Sequence, residues 1–478
     1  MKNFIAPIAL ICTLVMAANA DAQERRKTTG SRVRTAKASA PVRVASNKDK
    51  HISKASYAQV VEGEVIHEGV VHEGIVDAGC DSCGSDCGGS CGTEIGSYCD
   101  TCATPRGFCI CFPSHGWVQT EYLSWYPSGM RVPALVTTSP AGTARAQAGV
   151  LGQTGTSVLY GANEDVLDGE RGGFRIRFGW WLSSFPCWGI EGEYTGLGEE
   201  TESFFQQSTG DPIIARPFFN ALTGAQDSEL VAFPAVVSGS IGVDVTSEFD
   251  GAAFRFRRQL CSSEGCCFSN LACKTVPWSS RLDATIGYRF WELDESIRIR
   301  EQLQMLTTAQ PGSFDITDRF ETRNQFNGTE LGMIWQGRRG WWSLEALMRV
   351  AVGNVHQTVT IGGNSTIVDN GVTSNFNNGF LAQRTNSGTF DRDQFTMIPE
   401  FGLTLGYQLT QRLRGTIGYS AIYWGNVVRP GDQIDLDLNP NLLAPEVTPF
   451  AGPLRPQFDF VETDYLVQGL SFGADFRW

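Results

Sequence analysis

The stretch "GFRIRFGWWL", residues 173–182, decides the fold. In an extended chain Phe174, Ile176, Phe178, Trp180 and Leu182 fall on one side, and Arg175 and Arg177 on the other. Side chains alternate across a strand, so a period of two marks a sheet whose faces meet unlike surroundings. The pattern recurs along the chain. "WGIEGEY" (188–194) sets Trp188, Ile190 and Tyr194 against Glu191 and Glu193. "AAFRFRR" (252–258) sets Phe254 and Phe256 against Arg255 and Arg257. "SRLDATIGYRF" (280–290) opposes Leu282, Ile286 and Tyr288 to Arg281, Asp283 and Arg289. Trp342, Leu344 and Met348 oppose Glu345 and Arg349; Phe401, Leu403 and Leu405 oppose Glu400; Ile417, Tyr419 and Tyr423 oppose Arg414.

These strands are about ten to thirteen residues long, whereas ordinary strands average about five to six. A tilted strand crossing a membrane needs about nine to eleven. The charged face uses Arg and Glu but almost no Lys, which suits a lumen better than a solvated sheet. The thirteen residues Arg175, Arg177, Glu191, Glu193, Arg255, Arg257, Arg281, Asp283, Arg289, Glu345, Arg349, Glu400 and Arg414 are therefore expected to line an interior. The apolar faces are expected to meet lipid.

The connections alternate in length. Those at 183–187, 336–340 and 408–412 are tight; those at 127–170, 198–247, 303–326, 354–394 and 425–464 are long. Outer-membrane barrels pair short inner turns with long outer loops. Ten strands satisfy this parity. They put both termini and the segment 259–280 on the inner side, with "SIRIREQLQ" (296–304) and "VHQTVTI" (355–361) either extending their neighbours or adding a further pair. The predicted class is all-β: an antiparallel transmembrane barrel of about 10–12 strands over residues 115–478. The chain ends on alternating Leu470, Phe472, Phe476 and Trp478, which reads as a last strand and an assembly signal for the barrel-assembly machinery.

Ahead of the strands the composition changes. Residues 1–20 read as a signal peptide, with Lys2, an apolar run and Ala18-Asn19-Ala20. Residues 21–58 read as a disordered basic arm; ten Lys/Arg stand against three Asp/Glu in 21–54, although the whole chain carries −13. Such an arm suits anionic cell-wall polymer, and export argues against nucleic acid. Residues 59–114 hold the repeat "VIHEG…VVHEG" and a Cys/Gly-rich run. His67 and His72 lie five apart, not the four of H-E-x-x-H, so a polar linker is expected there rather than a metal site.

Thirteen cysteines remain after the signal. Cys80, Cys83, Cys87, Cys91, Cys99, Cys102, Cys109, Cys111, Cys187, Cys261, Cys266, Cys267 and Cys273 all fall on the inner side by the parity above. In an exported chain they are expected to form disulfides before binding metal, and because thirteen is odd at least one thiol is free or pairs between chains. No nucleophile elbow, Ser-His-Asp set or P-loop context occurs, so neither an enzyme nor a cofactor is expected.

Several stretches carry a resemblance: "GWVQTEYLSWY" (116–126), "GERGGFRIRFGWWL" (169–182), "LDATIGYRFWELDESIRI" (282–299), the Cys/Gly-rich leader and the aromatic C-terminus. Together they resemble the planctomycete outer-membrane barrels of the beta-barrel porin-seven family, over roughly 115–478. The resemblance implies an outer-membrane barrel in contact with outer-membrane lipid, with no catalytic residues to transfer. The expected function is a narrow passive pore for small polar solutes or ions. The alternative is a structural or surface-binding protein, its barrel non-conducting and tethered to the cell wall through the basic arm. Both termini are expected in the periplasm; the oligomeric state is not legible.

Overall fold

The computed structural model describes residues 115–162, 165–269, 274–306 and 312–478. The expected signal peptide, basic arm, His/Glu repeat and leader cysteines lie outside them. Ten long strands form the wall: β1 (Gly116–Pro127), β2 (Arg171–Leu182), β3 (Phe185–Ser208), β4 (Val237–Ser269), β5 (Lys274–Met305), β6 (Gly312–Arg339), β7 (Trp342–Asp369), β8 (Gly388–Gln408), β9 (Leu413–Val428) and β10 (Glu462–Arg477). Each pairs antiparallel with the next, and β1 pairs with β10, Trp117 opposite Arg477. The sheet is thus closed and has no free edge along this ring. Among the described residues no helix is long and apolar enough to cross a membrane.

Among the described residues the closed ring has ten strands, and "SIRIREQLQ" and "VHQTVTI" extend β5 and β7 rather than adding a pair. The long connections need correction. Much of 198–247, 303–326 and 354–394 is strand, and β4 reaches 33 residues. Likewise 259–269 and 274–280 continue β4 and β5 past the rim.

The physical reason is an inversion along single strands. On the lower half of β5, even positions Ile286 and Tyr288 are exposed and odd positions Asp283 and Arg289 are buried. Higher up, odd positions Trp291, Leu293, Ile297 and Ile299 are buried, while Arg298 and Arg300 are exposed. On β7, Met348 faces out and Arg349 in; beyond Val352, Val355, Val359 and Ile361 are buried. The wall is apolar outside over the span that lipid would cover and apolar inside above it, where water replaces lipid. About ten residues of tilted strand carry the apolar exterior, or about 25 Å. Tryptophans (Trp188, Trp342) stand toward the tight-turn rim of this band; tyrosines (Tyr126, Tyr194, Tyr288, Tyr423) stand toward the far rim. Such amphipathic rings suit the two membrane–water boundaries.

Above the band the loops fold into the tall wall. A small sheet from Ile214–Asn220, Ala225–Ala232, Val136–Thr138, Ser157–Tyr160 and Asp437–Leu438 packs there, forming a cap. Its core joins Leu135, Ile214, Phe218 and Val231 to wall residues Ile241, Val243, Ile297 and Phe320.

Candidate functional site: the filled interior

All thirteen residues expected to line an interior lie on the inner face. Eleven are buried, while Arg281 keeps 27% and Arg414 12% of its side chain exposed. Twelve of them join one network of ion pairs, and Arg414 pairs with Asp475 beside it. Arg255 donates to Glu330 (Nε to Oε1, 2.8 Å), Glu193 (3.0 Å) and Glu191 (2.5 Å). Arg289 donates to Glu193 (2.7 Å), Glu400 (2.8 Å) and Glu330 (2.5 Å). Arg349 reaches Glu193 at 3.0 Å and Glu191 at 3.1 Å from the opposite wall. Arg175 donates to Glu121 at 2.6 Å, and Arg177 to Glu345 at 3.4 Å. Toward the tight-turn rim Asp283 accepts from Arg257 (2.7 Å) and Arg281 (2.8 Å), and Asp475 accepts from Arg414 and Arg477.

Charges taken so far from water hold only when paired and hydrogen-bonded. Each carboxylate named here has an arginine, so the layer is close to neutral. Glycines on the inner face make room for the long stems. A Cβ at Gly332 would lie 2.7 Å from Arg349 Cγ, and one at Gly473 2.7 Å from Glu121 Cγ. Gly332 and Gly473 are thus small where long ionic stems pack inside a narrow ring.

Three acids of this layer were not singled out from sequence: Glu121, Glu330 and Asp475. Their signal is alternation. Each is followed by an apolar or aromatic residue on the opposite face (Tyr122, Leu331, Phe476) and falls on the face already carrying charge.

Above the ions lies an apolar layer. Trp125, Phe249, Trp291, Phe326, Trp424, Tyr465 and neighbouring aliphatics are all within 3% of full burial. Phe249 stacks on Trp291 at 4.8 Å, and Arg289 lies 4.7 Å from the Trp291 ring, joining the two layers. Sequence reasoning missed this layer because it placed these residues at strand ends or in loops.

A third feature is a strap. A bulge after Trp424, with Asn426 at φ 59°, tips the end of β9 inward. Val428 exchanges two hydrogen bonds with Asn324 of β6 (2.8 and 2.9 Å), and Gln357 of β7 donates to Asn426 O (2.5 Å). Arg429 makes two bonds to Glu295 of β5 (2.9 and 2.6 Å) and two to the carbonyls of Ser128 and Gly129. The chain thus crosses the mouth and is held against the far wall.

The other expected site residues are placed as follows. Leu470, Phe472 and Phe476 are on the outer face of β10, and Trp478 follows it, donating to Gly116 O at 3.1 Å. Cys187 and Cys261 lie near the tight-turn rim, on β3 and β4. Cys266 and Cys267 are on β4, their side chains outside the described part; Cys273 and the eight leader cysteines lie outside the described residues. Among the described residues no group of three His, Cys, Asp or Glu is arranged to hold a metal.

A closed antiparallel ring with an apolar exterior band and an ionic interior defines an outer-membrane β-barrel. The chain belongs to the family described as Putative beta barrel porin-7, whose model matches residues 117–478. No curated protein matches its sequence. Among solved structures it is similar to the outer membrane protease OmpT from Escherichia coli (8% identity, 77% of this chain and 97% of that chain, TM-score 0.33). It is also similar to the Pseudomonas putida toluene transporter TodX (8%, 77% and 90%, TM-score 0.18) and a Pseudomonas aeruginosa FadL homologue (9%, 76% and 90%, TM-score 0.19). These likenesses are too distant to carry any residue role or activity across.

Proposed function

We propose that this chain is a non-conducting outer-membrane barrel, working as a structural or surface-binding protein rather than as an open pore. The carrying observation is the near-total loss of water-accessible surface inside. A lumen wide enough for water leaves its lining accessible, yet Arg255, Arg289, Asp283, Glu191 and Arg349 are 0–1% exposed. Immediately above them the apolar layer and the strap fill the same cross-section. Ten strands lie near the eight whose interior side chains fill, and far from the sixteen to eighteen that leave an aqueous channel. In this reading the tight-turn rim faces the periplasm, the cap faces out, and the basic arm at 21–58 tethers the barrel to anionic cell wall.

Planar-bilayer recording tests it. Protein shown to be folded by heat-modifiable gel mobility should give no stepwise current at neutral pH. Reproducible steps from that preparation would establish the narrow passive pore instead. A deletion of residues 21–111 separates the tether from the barrel: assembly should persist while retention on isolated cell wall is lost.

A further inference from the structure

The ionic layer is not uniform in charge. Its upper part sets Arg175, Arg255, Arg289 and Arg349 against five glutamates, and is slightly acidic. At the tight-turn rim the balance reverses. A small open cavity of about 30 Å³ is lined there by five arginines from five strands: Arg177, Arg257, Arg281, Arg414 and Arg477. Only Glu345 and Asp475 among the lining residues are acidic, and the chain-terminal Trp478 is not part of the lining.

The carboxylates nearby are already shared. Asp475 serves both Arg414 and Arg477, and Asp283 both Arg257 and Arg281. Arg177 and Arg257 also reach up to Glu121 (3.6 Å) and Glu191 (3.2 Å), so the surplus falls on Arg281, Arg414 and Arg477, which have only Asp283 and Asp475 between them. Donors are left over: the Nε groups of Arg177 and Arg414 are buried without an acceptor. Trp181 packs against the cluster, with Arg281 4.1 Å and Arg257 5.7 Å from its ring. A concave, low-dielectric wall focuses such an excess of positive charge.

We infer that the tight-turn rim carries a binding site for one small oxyanion group, a carboxylate or a phosphate. The volume suits a single such group, since one water needs about 10–15 Å³ measured this way. The rest of the ligand stays outside the cavity. Planar guanidiniums are the side chains best matched to these groups. The site is independent of whether the barrel conducts, because it lies at the rim below the sealed layers.

The full-length protein, folded in detergent at low salt and neutral pH, should be titrated with inorganic phosphate and separately with acetate. Tryptophan fluorescence reports directly, because Trp117 and Trp181 line the cavity. A saturable change is expected with at least one anion, and the tighter of the two identifies the group. Arg281→Gln should raise the half-saturation about tenfold, and Arg281→Lys less. Arg300→Gln, at an exposed ion pair with Asp315 on the upper wall, should leave it unchanged. If Arg281→Gln fails to fold, Arg477→Gln carries the same test, its side chain being 54% exposed. No saturable change with either anion, or an equal response in wild type and the glutamine variant, would overturn the assignment.

Discussion

Arg216 lies in the cap with only 1% of its side chain exposed. It donates to Asp318 (2.7 Å) and Glu301 (3.3 Å) and lies 4.5 Å from the Phe380 ring. Asp318 also accepts the backbone N–H groups of Leu381 and Ala382, so this one cation organises two loops and two strands. Glu229 faces the same cluster as a surplus acid. Burial, then Glu301, pushes its carboxyl up to about 8 against the pull of Arg216, with Asp318 and Asp227 adding to the rise. From the ordinary glutamate range up to about 8, the folded cap keeps a proton that the unfolded chain has released. Cap stability therefore falls as pH rises through that window, and levels off above it. Hydrogen exchange of the amides at 214–232, corrected for its intrinsic pH dependence, should show more protection at pH 5 than at pH 8. Glu229→Gln should flatten that difference; an equally steep profile in the variant would refute the assignment.

At the scale of the element, the strap shows what the sequence hides. Its alternation, "AIYWGNVV" (421–428), reads as an ordinary strand end. Only the bulge, a backbone event, turns Val427 and Val428 inward to 0% exposure. Arg429→Ala should leave Glu295 buried without its cation, at a cost of about 3–5 kcal/mol. The expected result is proteolytic cleavage within 434–461 at least several-fold faster, with the barrel itself intact by gel mobility. Unchanged cleavage would mean that the strap is held by Asn324 and Gln357 alone. The lower wall was legible because its faces differ so strongly: Phe254 and Phe256 against Arg255 and Arg257 admit one reading. The upper wall was not. In "SIGVDVTSEF" (240–249) the alternation is equally regular, but its apolar side is the inner one. A reading that looks for lipid outside mistakes such a segment for loop. Ion pairs across the lumen join residues far apart in the chain, 158 positions for Glu191 to Arg349 and 168 for Arg177 to Glu345, so these partners are fixed by closure of the ring and not by any local pattern.

On the scale of the whole molecule, closure depends on one seam. Phe476 lies opposite Val118 on β1 and Leu413 on β9, and its ring stacks on Trp478 at 6.0 Å. Trp478 in turn covers Gly116, where an added Cβ would come within 2.3 Å of the indole. Deleting residues 476–478 should expose two strand edges and lower the heat-modifiable fraction after refolding into lipid several-fold, before any effect inside the ring. Normal insertion of that truncation would show that the seam closes without them. The heights of the strands have a further consequence. β4 and β5 run for 33 and 32 residues and β6 and β7 for 28 each, whereas β1 and β2 have 12 each and β9 and β10 have 16 each. The barrel wall therefore has a high back and a low front. At β7, the wall continues about 50 Å along the strand past Val352, while at the front it stops near the tyrosines and gives way to the loops 128–170 and 429–461. Anything large that approaches across the plane of the bilayer meets pleated sheet from one bearing and loop from the opposite one. Neighbours in a crowded membrane would be sorted by azimuth as well as by side.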